Sequence, residues 1–108
     1  MKEMEKIQQM LDKAEEGYKG EIISIEETTS HEYFGENKYA DREGYKITFS
    51  VTDGKEELAE FHEFFNIPKP TGLPDSKIYK FSKKYGELPK IGMKVDCMVV
   101  DGYFRVLV

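Results

Sequence analysis

The last third of this chain, residues 72–108, constrains the fold most, because its boundary signals are strong and closely spaced. Asp75 or Ser76 supplies a side-chain oxygen that can cap the start of a helix. Gly86 suits the left-handed position just past a helix end, and Pro89 stops the helix from continuing. Between these signals lies an apolar stripe at helical spacing, formed by Ile78, Phe81 and Tyr85. The sequence therefore predicts a short amphipathic helix.

Two apolar strands follow this helix. They are predicted over Met93–Val100 and Tyr103–Val108, and Asp101-Gly102 between them is typical of a tight hairpin. Alternation predicts one apolar face in each strand, made of Val95, Cys97 and Val99 in the first and of Phe104, Val106 and Val108 in the second. This order of elements indicates a small barrel-like domain.

Three earlier strands are also predicted. β-branched residues cluster in Tyr18–Thr28, and strict apolar–polar alternation marks Tyr45–Val51 as a half-buried strand. Asp53-Gly54 is a strong hairpin signal, so the chain should return antiparallel over Glu56–His62. The alternative for residues 56–65 is a short helix, because helical spacing is also met by Leu58, Phe61 and Phe65.

The N-terminal residues Met1–Gly17 are predicted to form an amphipathic helix that precedes the strands. Its narrow apolar stripe consists of Met4, Ile7, Leu11 and Ala14. Such a stripe either docks on the chain's own domain, which is the favoured interpretation, or contacts a second copy. A chain of 108 residues corresponds to one domain. We therefore divide it into a helix, 1–17, and a barrel-like domain, 18–108.

Residues 28–44 show no period and many turn-forming residues, which predicts a long loop. The loop places aromatic residues beside basic ones, namely Tyr33, Phe34 and Tyr39 with Lys38 and Arg42. Exposed aromatic rings next to cations are what base stacking uses. The acidic residues of the loop oppose that interpretation. In the alternative, which is slightly favoured, the loop folds back and its rings cover the barrel.

Composition and charge narrow the function classes. The net charge is −5, which argues against a strong nonspecific nucleic-acid binder. Lysines concentrate in Lys69–Lys94, which predicts a basic helix on an acidic body. There is no run of about 18 apolar residues and no apolar signal region at the start. We therefore expect a cytoplasmic protein without a membrane span, as a monomer or weak dimer.

No chemical motif points to catalysis. The two histidines, His31 and His62, lie in different segments and lack further ligands at metal spacing. Cys97, the single cysteine, lies in an apolar strand and is expected to be a buried, unreactive thiol. Phosphate-cradling glycine motifs and nucleophile-elbow serines are absent from the sequence. We expect no enzymatic activity, no metal and no cofactor.

Five strands with a helix between the third and fourth, and the turn Leu88-Pro89-Lys90-Ile91-Gly92 before the fourth, resemble the OB-fold family over residues 18–108. The resemblance implies a mainly β, five-stranded Greek-key barrel that binds single-stranded nucleic acid across strands two and three and the flanking loops. The implied binding residues are Tyr33, Phe34, Lys38, Tyr39, Arg42, Lys46, Thr48 and Tyr103, with Ser50 and Arg105 nearby. The alternative function is a protein–protein interaction module that uses the basic helix or the N-terminal helix.

Overall fold

The computed structural model describes residues 3–8, 17–52 and 56–108, which form a mainly β structure. Within them the strands are β1 (Tyr18–Thr29), β2 (Glu43–Thr52), β3 (Glu57–Asn66), β4 (Lys94–Val100) and β5 (Tyr103–Val106). Besides the helical residues 3–8, the helices are α1 (Ser30–Phe34), a 3₁₀ helix (Pro70–Asp75) and α2 (Lys77–Tyr85). All strands pair antiparallel in one sheet of order β3-β2-β1-β4-β5.

Strand β1 lies at the centre of the sheet and joins its two halves. It pairs with β2 along its whole length but with β4 only over Tyr18–Glu21. The pairing register shifts between Ile22 and Ser24, which marks a bulge in β1 just past its pairing with β4. Gly20 permits the close approach of β1 to β4, because a Cβ there would lie 2.7 Å from Cys97 Sγ.

The core lies between the inner face of this sheet and helix α2. Ile47, Phe49 and Val51 of β2 are buried, as their alternation predicts. Phe81 of α2 is fully buried and contacts the ring of Phe65 edge-to-face at 6.0 Å. The predicted apolar stripe of α2 is confirmed, since the two residues that pack beside Phe81 against the core are Ile78 and Tyr85.

Most predicted elements are confirmed with small changes in their bounds. Residues 57–66 form a strand and not a helix, because pairing with β2 supplies their backbone partners. Asp101 and Gly102 both have positive φ, at 51° and 83°, as the mirror-image hairpin turn requires. The predicted Asp53-Gly54 turn lies outside the described residues. Two positions expected on the core face are exposed: Val99 and Val108. Val99 lies toward the tip of the β4–β5 hairpin, and Val108 lies beyond the end of β5.

Three predictions need correction or remain partly open. The predicted loop 28–44 contains helix α1, which contacts from the far end of the loop stabilise. Pro68, Pro70, Gly72 and Pro74 predict a break in all regular structure before α2, whereas Pro70–Asp75 form the 3₁₀ helix. Residues 3–8 are helical, and all six are exposed, so this part of the N-terminal helix does not dock as favoured. Residues 9–16 lie outside the described part.

The sheet is open, and β3 and β5 are its two edges. We call the gap between these two strands the seam, and side chains bridge it. Glu63 Oε2 of β3 accepts a hydrogen bond of 2.7 Å from the backbone N–H of Val106 in β5. Phe61 and Phe104 stack across the seam with centroids 6.1 Å apart. A buried carboxylate and a ring pair thus hold the edges together where no backbone ladder is formed.

Candidate nucleic-acid interface

Helix α1 is short, but hydrogen bonds at both ends of its loop fix it in place. The Thr29 side chain caps the helix by accepting from Glu32 N at 3.3 Å. Ser30 N donates to Arg42 O at 2.8 Å, and Asp41 Oδ1 accepts from His31 N at 2.9 Å. The bond from His31 N lowers the pKa of Asp41, so this acceptor stays ionised at neutral pH. The loop therefore presents α1 in one defined position.

Tyr33 attaches α1 to the outer face of β3. Its hydroxyl lies 2.6 Å from Nδ1 and 3.1 Å from the carbonyl oxygen of His62. Its ring meets the imidazole edge-to-face at 5.2 Å. Burial raises the pKa of Tyr33, the charge of Glu63 raises it further, and Arg105 opposes both. The predicted fold-back of the loop is thus confirmed for Tyr33, which covers the outer face rather than the core.

Phe34, the next residue, remains 67% exposed although its ring is held on one side. It contacts Tyr33 at 4.6 Å and Phe64 at 5.6 Å, both edge-to-face. Gly44 makes room for Phe64, because a Cβ at Gly44 would lie 2.5 Å from the Phe64 ring. Tyr33, Phe34 and Phe64, the aromatic cluster, together present one fixed and largely exposed ring.

The predicted polar residues of β2 lie on the same outer face as this cluster. Lys46 stands between Glu26 of β1 and Phe64 of β3. Thr48 stands in the next row, opposite His62. The structure thus brings together four predicted site residues around His62 and Phe64 of β3. The four are Tyr33, Phe34, Lys46 and Thr48. Ser50, one row further, donates to Glu57 Oε1 at 3.0 Å.

Beneath the cluster, the seam carries an ion pair whose carboxylate is buried and whose lysine is partly exposed. Glu63 is 5% exposed and accepts from Lys77 Nζ at 3.2 Å as well as from β5. Lys77 also lies 5.2 Å from the centroid of the Phe65 ring. The charge of Lys77 is therefore committed to Glu63. This pair ties α2 to the seam and leaves little net charge there.

An open cleft of about 450 Å³ lies over the seam. The aromatic cluster lines it on the α1 side, and Arg105 of β5 and Lys77 of α2 contribute the cations. Arg105 is exposed and has no hydrogen bond or ion pair to any residue the structure describes. The cleft therefore combines flat apolar surface with one uncommitted guanidinium.

The remaining predicted residues do not join this cluster. Lys38 lies over the ring of Tyr39 at 5.4 Å, and that ring is 69% exposed. Arg42 lines a different hollow, between its loop and residues 66–76. Tyr103 is 68% exposed at the β4–β5 hairpin and makes no ring contact with described residues. The loop and the last hairpin thus supply isolated residues to the surface.

The hollow that Arg42 lines is the larger one, at about 670 Å³. Its walls hold charges of both signs, including Asp41, Lys69 and Asp75, and no aromatic ring. It offers no stacking surface and no uniform potential, so it is a weaker candidate than the cleft over the seam.

Sequence reasoning missed Phe64 and Glu63 as contributors to the site. Phe64 lies on the polar face of β3, a segment whose sequence fits both a strand and a helix. The only sequence signal for room beside β2 was Gly44, two residues before Lys46. Glu63 is one of 21 acidic residues and carried no signal of its own. Both became visible only through the pairing of β2 with β3.

Other chemistry is sparsely represented. Cys97 is buried, as predicted, and burial raises the pKa of its thiol to about 12. Among residues 3–8, 17–52 and 56–108, no cluster of three or more His, Cys, Asp or Glu side chains could hold a metal ion. No helix in the described part of the chain is long and apolar enough to cross a membrane.

Comparisons of the chain with protein-family models, with curated proteins and with solved structures find no match.

Proposed function

We propose that this chain is an OB-like domain that binds single-stranded nucleic acid on the outer face of β2 and β3. The connectivity supports the fold interpretation: β1 pairs with both β2 and β4, α2 lies between β3 and β4, and β3 faces β5 across the seam. An OB-fold is a partly open five-stranded barrel whose strands two and three bind oligonucleotides with the neighbouring loops.

The observation that carries the proposal is the fixed position of Phe34. An exposed phenylalanine ring normally loses conformational freedom when it stacks on a ligand. Here Tyr33 and Phe64 already hold the ring, and Tyr33 is bonded to His62. Stacking of a base on a fixed ring contributes about 1–3 kcal/mol.

The neighbouring polar side chains suit the backbone of a single strand. Lys46 has no ion-pair partner among the described residues and lies one strand from Phe64. A lysine in this position can neutralise a phosphate, and the hydroxyl of Thr48 can donate to one. Because the net charge of the chain is −5, we expect weak binding that declines with salt, with a log–log slope of about −0.7 for each phosphate that is neutralised.

The proposal is tested by an amide-resolved NMR titration with a short oligothymidine at low salt, on wild type and Phe34→Ala. We expect shifts on residues 46–50, on α1 and on β3, and about tenfold weaker binding for the variant. Leu88→Ala is the control, because Leu88 is 63% exposed in the loop before β4 and outside the proposed face. It should change the affinity less than about twofold.

Equal affinities for Phe34→Ala and Leu88→Ala would contradict a role for the aromatic cluster. No shifts at high oligonucleotide excess would refute the proposal altogether.

A second candidate function is docking of an acidic protein on α2. Three exposed lysines of α2 make no ion pair with any described residue: Lys80, Lys83 and Lys84. Lys83 and Lys84 lie over the tyrosine rings of the same helix. Such a surface accelerates association with an acidic partner. Oligothymidine-induced NMR shifts confined to α2 would favour this candidate, because they would show that the polyanion is attracted by the basic helix and not by the aromatic cluster.

A further inference from the structure

We propose that the cleft over the seam holds one nucleotide of the bound strand, with its base on Phe34 and its phosphate on Arg105. This inference rests on the proposed function and extends that site from β2 and β3 to the opposite edge of the sheet. In this arrangement the nucleic-acid strand crosses the seam and does not end at β3.

The first argument is the aromatic wall of the cleft. Phe34 and Phe64 line it, and Phe34 keeps two-thirds of its surface free at 67% exposure. Gly44 lets Phe64 lie against β2, so the wall stands on the sheet and not on the loop alone. A base that stacks there gains contact without ordering the wall.

The second argument is the separation of the charges. Lys77 pairs with Glu63 at 3.2 Å below the wall, so these two charges compensate each other. Arg105 on the β5 side has no such partner in the described chain. A guanidinium binds phosphate oxygens through two parallel N–H donors, which makes arginine a preferred phosphate ligand. The cleft therefore offers one free cation, opposite the apolar wall.

The third argument is size and access. A volume of about 450 Å³ falls within the usual range of small-molecule sites, about 300–1,000 Å³. The cleft is open to solvent, so the rest of a bound nucleic-acid strand can lie outside it. Its wall and its cation come from opposite edges of the sheet, so a ligand in the cleft contacts both β3 and β5.

The test compares Arg105→Gln with Lys6→Gln, which removes the same charge from the exposed segment 3–8. Affinity for a fluorescent oligothymidine is measured by anisotropy from 25 to 200 mM salt, and an NMR spectrum verifies the fold. We expect Arg105→Gln to weaken binding about tenfold and to reduce the salt slope by about 0.7. Arg105→Lys, which keeps the charge but loses the fork, should lie between wild type and Arg105→Gln.

Equal, small losses for Arg105→Gln and Lys6→Gln would overturn the inference. If Phe34→Ala still weakened binding in that case, the proposed function would stand without the seam. If wild type failed to bind oligothymidine at the lowest salt, both the inference and the proposed function would be overturned.

Discussion

At the scale of single residues, Glu63 has the largest consequences. It lies between Phe61 and Phe65 on the inward side of β3, where an apolar residue would be expected. Its two carboxylate oxygens have different partners, Val106 N and Lys77 Nζ, so the buried charge is both paired and hydrogen-bonded. The alternation of β3 did not predict this role, because the partners lie 43 and 14 residues away in the sequence.

Cys97 allows a prediction about alkaline stability. Its pKa is raised from 9.0 to about 12 in the folded chain. Below about pH 9 both states keep the proton, so the contribution of the thiol to stability is complete there. As the pH rises toward 12, the unfolded chain ionises first and the free energy of unfolding falls. Melting temperatures between pH 8 and 11 should therefore decrease less steeply for Cys97→Ala than for wild type.

Parallel pH profiles for the two proteins would contradict this prediction. Thiol titration with an aromatic disulfide at pH 8 gives an independent measurement, since a buried thiol should react only after denaturant is added.

At the scale of secondary-structure elements, local sequence predicted those whose signals are local. The alternation in β2 and the N-cap of α2 needed no tertiary information, and both are confirmed. Helix α1 could not be predicted, because its five residues are too few to show a period. Its stability comes from Asp41 and Arg42, which lie beyond the helix in the sequence.

The cap of α2 gives a prediction at this scale. The hydroxyl of Ser76 accepts from Tyr79 N at 3.2 Å and donates to Leu73 O at 2.7 Å, which joins α2 to the 3₁₀ helix. Ser76→Ala should lower the free energy of unfolding by about 1–2 kcal/mol in urea denaturation. Ser82→Ala is the matched control. Its hydroxyl only donates to Tyr79 O within the helix, so alanine should be neutral or slightly stabilising.

A loss of the same size for both serine variants would show that the cap has no special contribution.

At the scale of the whole molecule, the seam determines how the two edges of the sheet stay together. Glu63→Ala leaves Val106 N–H without its acceptor and Lys77 without its carboxylate partner, and it should cost about 3 kcal/mol of stability. Glu63→Gln keeps a carbonyl acceptor for Val106 and should cost about 1–2 kcal/mol. Glu60→Gln, on the exposed face of β3, should change stability by less than about 0.5 kcal/mol.

Urea denaturation measures these differences, and amide hydrogen exchange at Val106 locates them. Faster exchange at Val106 is expected for Glu63→Ala and not for Glu60→Gln. Unchanged exchange in both variants would refute the role assigned to this carboxylate.

The proposed binding site could be predicted only in part, because it combines segments that no sequence pattern links. Lys46 and Thr48 follow from the alternation of β2, and Tyr33 and Phe34 from their aromatic character. Their assembly depends on the register that places Phe64 beside Lys46 and on Gly44, which admits the ring. Tyr103 and Tyr39 are also aromatic residues near basic ones, but they lie away from the aromatic cluster. Composition does not determine which residues are close in space.

The central position of β1 has a consequence for the rate of folding. Its pairing with β2 closes a short stretch of chain, whereas its pairing with β4 joins distant residues such as Lys19 and Asp96, which are 77 positions apart in the sequence. Closing so long a loop has a high entropic cost before any contact compensates for it. We therefore expect β1, β2 and β3 to assemble first. The docking of β4 on β1 then limits the refolding rate, and native-like burial of Cys97 arrives only with that late step.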